Sequence, residues 1–266
     1  MNLRRTIGQA AFATGFNPVQ FANFVRGLPH FYAERREFKR QWRASHPQPN
    51  FEFRHSISLS GDRYQTAGAV KGHYFNQDLF VAKQVFKANP ARHVDVGSRI
   101  DGFIAHIASF RTVDVLDIRP LESPDDNITF HQVNILDLDS KWFESTDSLS
   151  CLHALEHFGL GRYGDPVDVD GWVKGLEAMT SMLKPRGVLY LSVPTGLTQR
   201  VEFNAQRVFS LERLYSYLNE RFEILSINVI SNSGSVVAIT PFEGQIQVPE
   251  WLTENDCSMW QLRRHE

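Results

Sequence analysis

The segment His153-Ala154-Leu155-Glu156-His157 sets two imidazoles and a carboxylate side by side, directly after an apolar run that ends at Leu152. An imidazole titrates near pH ~6.5, so it can take a proton at neutral pH. The expectation is that His157 acts as a general base and that His153 contacts a cofactor or substrate. Histidines at this spacing can share one helix face, and a metal reading would add Glu156 or Asp165 as ligands. The order H-E-x-x-H is absent and no third ligand is evident, so no metal is expected. The same spacing also suits two histidines that only cap or pack a helix.

A second chemical feature lies upstream, in Val94-Asp95-Val96-Gly97-Ser98-Arg99-Ile100-Asp101-Gly102-Phe103. Here an apolar strand runs into a glycine loop, the usual place for a ligand at the carboxyl end of a parallel sheet. Gly97 allows a tight turn, Ser98 continues it, and Gly102 lets the following helix approach a ligand. Asp95 can hold amides of its own loop or a ligand's amino group. Asp117 closes the next apolar strand, where a carboxylate can accept hydrogen bonds from two ribose hydroxyls. A pyrophosphate would favour G-x-G-x-x-G, and this chain has Arg99 at the second glycine position and Asp101 near the phosphates, which argues against NAD.

The elements that must carry these residues alternate. Apolar runs predict strands near 92–97, 113–117, 128–133, 147–152 and 186–193, with helices over 74–89, 101–110 and 170–183. Runs from Phe222 to Ile230 and from Ser235 to Thr240 flank Ser231-Asn232-Ser233-Gly234, a hairpin signal. Phe51 to Leu59 reads as a short strand, and the tail from Pro241 as irregular. Residues 1 to about 45 read as basic, aromatic helix broken into pieces by Pro18 and Pro29.

Five features occur in order: the glycine loop, Asp117, Asn134-Ile135-Leu136-Asp137, the Leu155-Glu156-His157 segment, and Leu183-Lys184-Pro185-Arg186-Gly187. Together they resemble the class I S-adenosylmethionine (SAM)-dependent methyltransferases. The resemblance covers residues 90 to 240 and implies an α/β, Rossmann-like sheet of about seven strands, mostly parallel, with an antiparallel C-terminal hairpin. It implies SAM as cofactor, with Asn134 and Ile135 at the adenine edge and face. Arg99 and Asp101 replace the second and third glycines of the family's usual loop. The Gly164-Asp165-Pro166-Val167-Asp168 loop and Val201-Glu202-Phe203-Asn204-Ala205-Gln206-Arg207 are similar to a bacterial branch associated with surface-polysaccharide biosynthesis. That similarity implies a sugar or glycan hydroxyl as methyl acceptor, with Asp165, Glu202, Asn204 and Arg207 near it. The alternatives are a catalytically silent binding protein of the same fold and, with less support, an NAD-linked sugar oxidoreductase.

Composition bounds the rest. The 266 residues, 42% hydrophobic and with a formal charge of -2, suit one large domain with no global pull toward nucleic acid. Cys151 and Cys257 are the only cysteines, which fits a reducing, cytoplasmic setting. The expected division is 1–75 as a helical extension and linker, 76–245 as the methyltransferase-like domain, and 246–266 as a tail. The basic N-terminal helices serve either as a cap or as a contact to a membrane surface or partner, and the oligomeric state stays open.

Overall fold

The computed structural model describes residues 17–44, 53–54, 61–65 and 72–266, apart from positions 124, 204, 232, 233 and 255. The chain divides into two compact units, residues 1–69 and 70–266.

In the first unit, helix α1 (Pro18–Ala44) is continuous. Asn17 caps it, its side-chain oxygen accepting from Val19 N at 3.0 Å and Gln20 N at 3.1 Å, and Pro18 stands in the first turn, where a missing N–H costs nothing. The expected break at Pro29 does not occur: the proline is accommodated inside the helix. Tyr64 lies under the Arg26 guanidinium, 4.3 Å from ring centre to cation. The strand read at Phe51 to Leu59 falls outside the described residues, save Phe53 and Arg54, which are in no strand.

Among the described residues, the second unit holds a sheet of ten strands. Helix α2 (His73–Ala88) leads into β1 (His93–Val96), a π-turn (Ile100–Ile104) continuing as α3 (Ala105–Ala108), then β2 (Val113–Asp117) and β3 (Ile128–Gln132). There follow β4 (Thr146–Leu152), α4 (Gly171–Met182), β5 (Leu183–Gly196), β6 (Arg200–Glu202), β7 (Gln206–Ser210), α5 (Leu211–Asn219), β8 (Phe222–Ile230), β9 (Val236–Ile239) and β10 (Asp256–Arg264). The main order is β3-β2-β1-β4-β5-β10-β8-β9, with β6 and β7 paired beside the end of β5. Strands β1 to β5 are parallel, whereas β10 runs antiparallel to both β5 and β8. This is the mixed, Rossmann-like architecture of the methyltransferase fold, with more strands than the seven expected.

Burial explains the strands' composition. All four residues of β1 are buried, as a central parallel strand covered on both faces requires. Val81, Val85, Phe103, Ile104 and Ile107 pack with Val113 and Val115 on one side. Leu176, Met179, Met182, Leu214 and Leu218 pack with Val94, Val96 and Leu149 on the other.

The tail needs correction. Residues 256–264, read as irregular, form β10 in the middle of the sheet, with Trp260 2% exposed and its Nε1 donating to Ser258 Oγ at 2.9 Å. Both its faces are covered, so its polar residues Asp256 and Ser258 are as buried as Cys257 and Met259, and no solvent-facing side marks the strand in the sequence.

Candidate functional site

The strand order reverses between β1 and β4, one leading to β2 and the other to β5, and ligands collect at that crevice in open parallel sheets. A cleft of about 490 Å³ opens there. Gly97, Asp117, Asn134, Ile135, His153, His157 and Asp165 line it, joined by Tyr74, Arg99, Arg119, Arg162 and Tyr163. Seven of the sequence-designated residues are thus gathered at one opening.

The floor is the glycine loop. Gly97 has φ +71°, and a Cβ there would come within 3.0 Å of Ala154 Cβ, so both conformation and space require glycine. Asp95 and Ser98 lie beneath the loop, 0% and 2% exposed, and not in the cleft. Asp95 accepts from Ser98 N at 2.9 Å, Ser98 Oγ at 2.6 Å and Ser150 Oγ at 2.5 Å, so it braces the loop. Burial pushes its carboxyl up to about 7, against the opposing effect of those three bonds. Gly102 also differs from expectation. It does not line the cleft, and the space beside it is taken by the Asp78 carboxylate of α2.

On one wall, Asp117 faces Arg119, which donates from Nε to Oδ1 at 3.0 Å and from Nη2 to Oδ2 at 2.5 Å. Asn134 spends its side-chain oxygen capping the next turn, accepting from Leu136 N at 3.0 Å.

Opposite stand the two histidines, whose environments diverge. His153 has φ +52°, an uncommon conformation for a non-glycine residue, held by its backbone N–H to Ser192 O at 3.0 Å. Its Nδ1 lies 2.9 Å from Glu156 Oε1, and Glu156 is 1% exposed. Burial alone would depress the His153 imidazole, but the Cys257 sulfur and the Glu156 carboxylate outweigh it and hold it well above its ordinary value. His157 is driven the other way, lowered by burial and by the Arg162 cation despite Glu156. Its Nδ1 sits 2.8 Å from the Ala205 carbonyl. A carbonyl only accepts, so Nδ1 carries the proton and the lone pair of the neutral ring is at Nε2.

A loop after β4 forms the rim. Asp165 Oδ2 accepts from Gly159 N at 2.8 Å and Gly161 N at 3.3 Å, and Oδ1 from Tyr163 N at 3.2 Å, so it staples the loop. Arg207 lies away from the cleft. It is 6% exposed and donates to the carbonyls of Phe158, Asp168 and Val169 at 2.5, 3.3 and 3.2 Å, locking the base of the loop to β7. Glu202 pairs with Arg200 at 3.0 Å and does not line the cleft. Asn204 lies outside the described residues.

Sequence reasoning did not assign Tyr74, Arg119, Arg162 and Tyr163 to the site. Arg119 stands two residues after Asp117, and a cation so close to the carboxylate was the available signal. Among the described residues, no group of three histidine, cysteine or acidic side chains is arranged to hold a metal, and no helix is long and apolar enough to cross a membrane.

One protein family, described as Caenorhabditis protein of unknown function, DUF268, matches residues 112–240. No curated protein matches the chain. Among solved structures, the fold is similar to Burkholderia thailandensis 1,6-didemethyltoxoflavin-N1-methyltransferase with bound 1,6-didemethyltoxoflavin and S-adenosylhomocysteine. That likeness has 15% identity and a TM-score of 0.51 over 90% of this chain and 91% of that one. The [4+2]-cyclase SpnF matches at 12% identity and a TM-score of 0.50, over 81% and 85%. The N-methyltransferase NodS from Bradyrhizobium japonicum WM9, in complex with S-adenosylhomocysteine, matches at 14% identity and 0.49, over 73% and 88%. The first two likenesses show the fold. A cyclase among them shows that the fold alone does not decide the reaction.

Proposed function

We propose that this chain is a SAM-dependent methyltransferase that transfers a methyl group to a sugar or glycan-type hydroxyl, with His157 as the base. The observation that carries the reading is the bond between His157 Nδ1 and the Ala205 carbonyl at 2.8 Å. It fixes the tautomer whose Nε2 can take a proton, and burial keeps the ring neutral.

The cleft suits the cofactor. Gly97 gives a side-chain-free turn at the floor, Asp117 a carboxylate for the ribose hydroxyls, and Asn134 and Ile135 a polar edge and an apolar face for a purine. SAM, when bound, supplies a methyl group on a sulfonium. The protein's own task is to align the acceptor and receive its proton, because an aliphatic hydroxyl is weakly acidic. A proton taken at His157 Nε2 meets the Glu156 carboxylate, 3.7 Å away. His153, raised by the Cys257 sulfur and by that same carboxylate, orients it and is the less suitable base. The fold likeness to a methyltransferase with bound S-adenosylhomocysteine supports the cofactor, and the ground for the acceptor is the resemblance read from residues 164–168 and 201–207.

Calorimetric titration with S-adenosylhomocysteine, followed by methyl transfer to a panel of sugars, tests the reading. Binding and turnover support it, and absence of binding overturns it. A second reading, a silent binding protein of this fold, is favoured by one observation: Arg119 occupies both oxygens of Asp117. It requires the same titration to show no affinity.

A further inference from the structure

We propose that the acceptor bears an oxyanion, a phosphate or a carboxylate, gripped by Arg162 and Arg119, the two cations that share the ring of Tyr163. The word acceptor rests on the methyltransferase reading; the charge rests on the geometry.

Three guanidinium groups line the cleft, and they are not equivalent. Arg99 is matched by Asp101, to which it donates at 3.1 and 2.9 Å. Arg119 is matched by Asp117 through Nε and Nη2. Arg162 makes no ion pair with a carboxylate among the described residues. Its Nη1 donates to the Ala205 carbonyl at 2.8 Å and lies 3.4 Å from His157 Nδ1. A guanidinium has five N–H donors in a planar fork, and one carbonyl uses little of that capacity and none of the charge. Asp165, three residues on, gives both oxygens to backbone amides.

Tyr163 brings the two cations to one place. Its ring centre is 4.6 Å from the Arg119 guanidinium carbon and 5.2 Å from that of Arg162. Cation–π contact holds each fork in position, so neither has to be ordered when a ligand arrives. Two cations against one ring repel each other, and an anion bound between them removes that cost. Arginine forks suit phosphate and carboxylate oxygens because two parallel N–H bonds match two oxygens. Arg162 and Tyr163 stand between Gly161 (φ +70°) and Gly164 (φ +86°), so the pair rides on a loop tip whose backbone only glycine adopts readily.

The arrangement also couples recognition to chemistry. Arg162 is one of the groups that depress His157. An oxyanion seated on Arg162 offsets that charge, so the base strengthens when the correct acceptor is bound.

The test is calorimetry on the full chain saturated with S-adenosylhomocysteine, titrated with inorganic phosphate, pyrophosphate and glucuronate. At least one is expected to bind, and the strongest assigns the anion as phosphate, diphosphate or carboxylate. Arg162→Gln should weaken it by roughly tenfold or more, the loss expected for a charged hydrogen bond, while S-adenosylhomocysteine affinity stays within about twofold. Arg162→Lys keeps the charge without the fork and should fall between the two. Equal affinity in wild type and Arg162→Gln overturns the proposal. So does mutual exclusion of oxyanion and S-adenosylhomocysteine, which would put the arginines on the cofactor's own carboxylate. If S-adenosylhomocysteine does not bind but oxyanion binding still depends on Arg162, the anion site stands and the methyltransferase reading falls.

Discussion

Arg119 clasps Asp117 with two side-chain bonds, at 3.0 and 2.5 Å, and with its backbone N–H at 2.9 Å, and the carboxylate is left 11% exposed. The group best placed for a ribose is therefore already engaged, and a ligand entering the cleft has to exchange with a guanidinium.

That exchange gives opposite expectations for the two partners. Asp117→Ala should lower S-adenosylhomocysteine affinity by at least about tenfold, for the loss of one or two charge-assisted bonds of roughly 1.5–3 kcal/mol. Arg119→Gln should raise it, because the carboxylate is released. Calorimetry on both variants decides, and an unchanged constant in Asp117→Ala removes the ribose assignment.

His157→Ala should reduce turnover by roughly 10²–10⁴-fold with cofactor affinity unchanged. The wild-type rate should rise with pH and level off, since only the neutral ring accepts a proton. Burial and Arg162 lower this histidine, so the rise should fall below the ordinary histidine range. The groups facing the ring are Glu156, Arg162, His153 and the Ala205 carbonyl, with Tyr163 edge-on. If the acceptor is anionic, kcat should rise at a higher pH than kcat/KM. A variant with wild-type turnover and profile excludes His157.

Two buried groups beneath the site oppose each other in acid. His93, between the Ser148 and Ser150 hydroxyls, is lowered by burial to about 3, and its stability contribution is lost as pH falls from about 6.5 toward that value. Asp95 is raised to about 7, and its contribution is lost as pH rises from about 3.9 through that value. The effects offset each other across the shared interval. Asp95→Asn removes one of them, so its Tm should drop more steeply than the wild type's between pH 6.5 and 4. Parallel melting curves for the two proteins would contradict this.

Because residues 70–266 hold both hydrophobic clusters and the whole cleft, a chain starting at Val70 should be folded and bind S-adenosylhomocysteine like the full protein. Size-exclusion chromatography and calorimetry check it. Aggregation would mean that the first unit serves as a cap, in keeping with the apolar residues Val19, Phe21, Tyr32 and Phe38 on α1.

The parallel half of the fold was legible because β1, β2 and β4 are short apolar runs closed by glycine, aspartate or histidine, and the helices between them keep their period. β10 was not, since its polar residues Asp256 and Ser258 are buried like its apolar ones, and no solvent face sets the strand apart from the tail before it. In the site, Gly97, Asp117 and the histidines were legible from their position after strands. Arg207 was misread: a charged residue in a polar stretch suggests a ligand contact, and only the fold reveals that it serves backbone carbonyls. Arg162 and Tyr163 were legible only as part of the polar loop after β4, because their pairing depends on Arg119, which only the sheet brings near.

The position of β10 bears on how the chain is made. Thr195 of β5 and Ser258 of β10 share a hydrogen bond at 2.5 Å across 63 positions of sequence. As the polypeptide emerges from the ribosome, β5 therefore has an open edge while β6 to β9 are synthesised. The β8–β9 hairpin can form by itself in that interval, yet it has no place in the sheet until β10 arrives. Contacts of such long range are slow to form, and unpaired edges invite association with other chains. β10, which follows β6 to β9 in the chain, is the strand that joins the two halves, so the cleft-bearing half waits on it for its final closure.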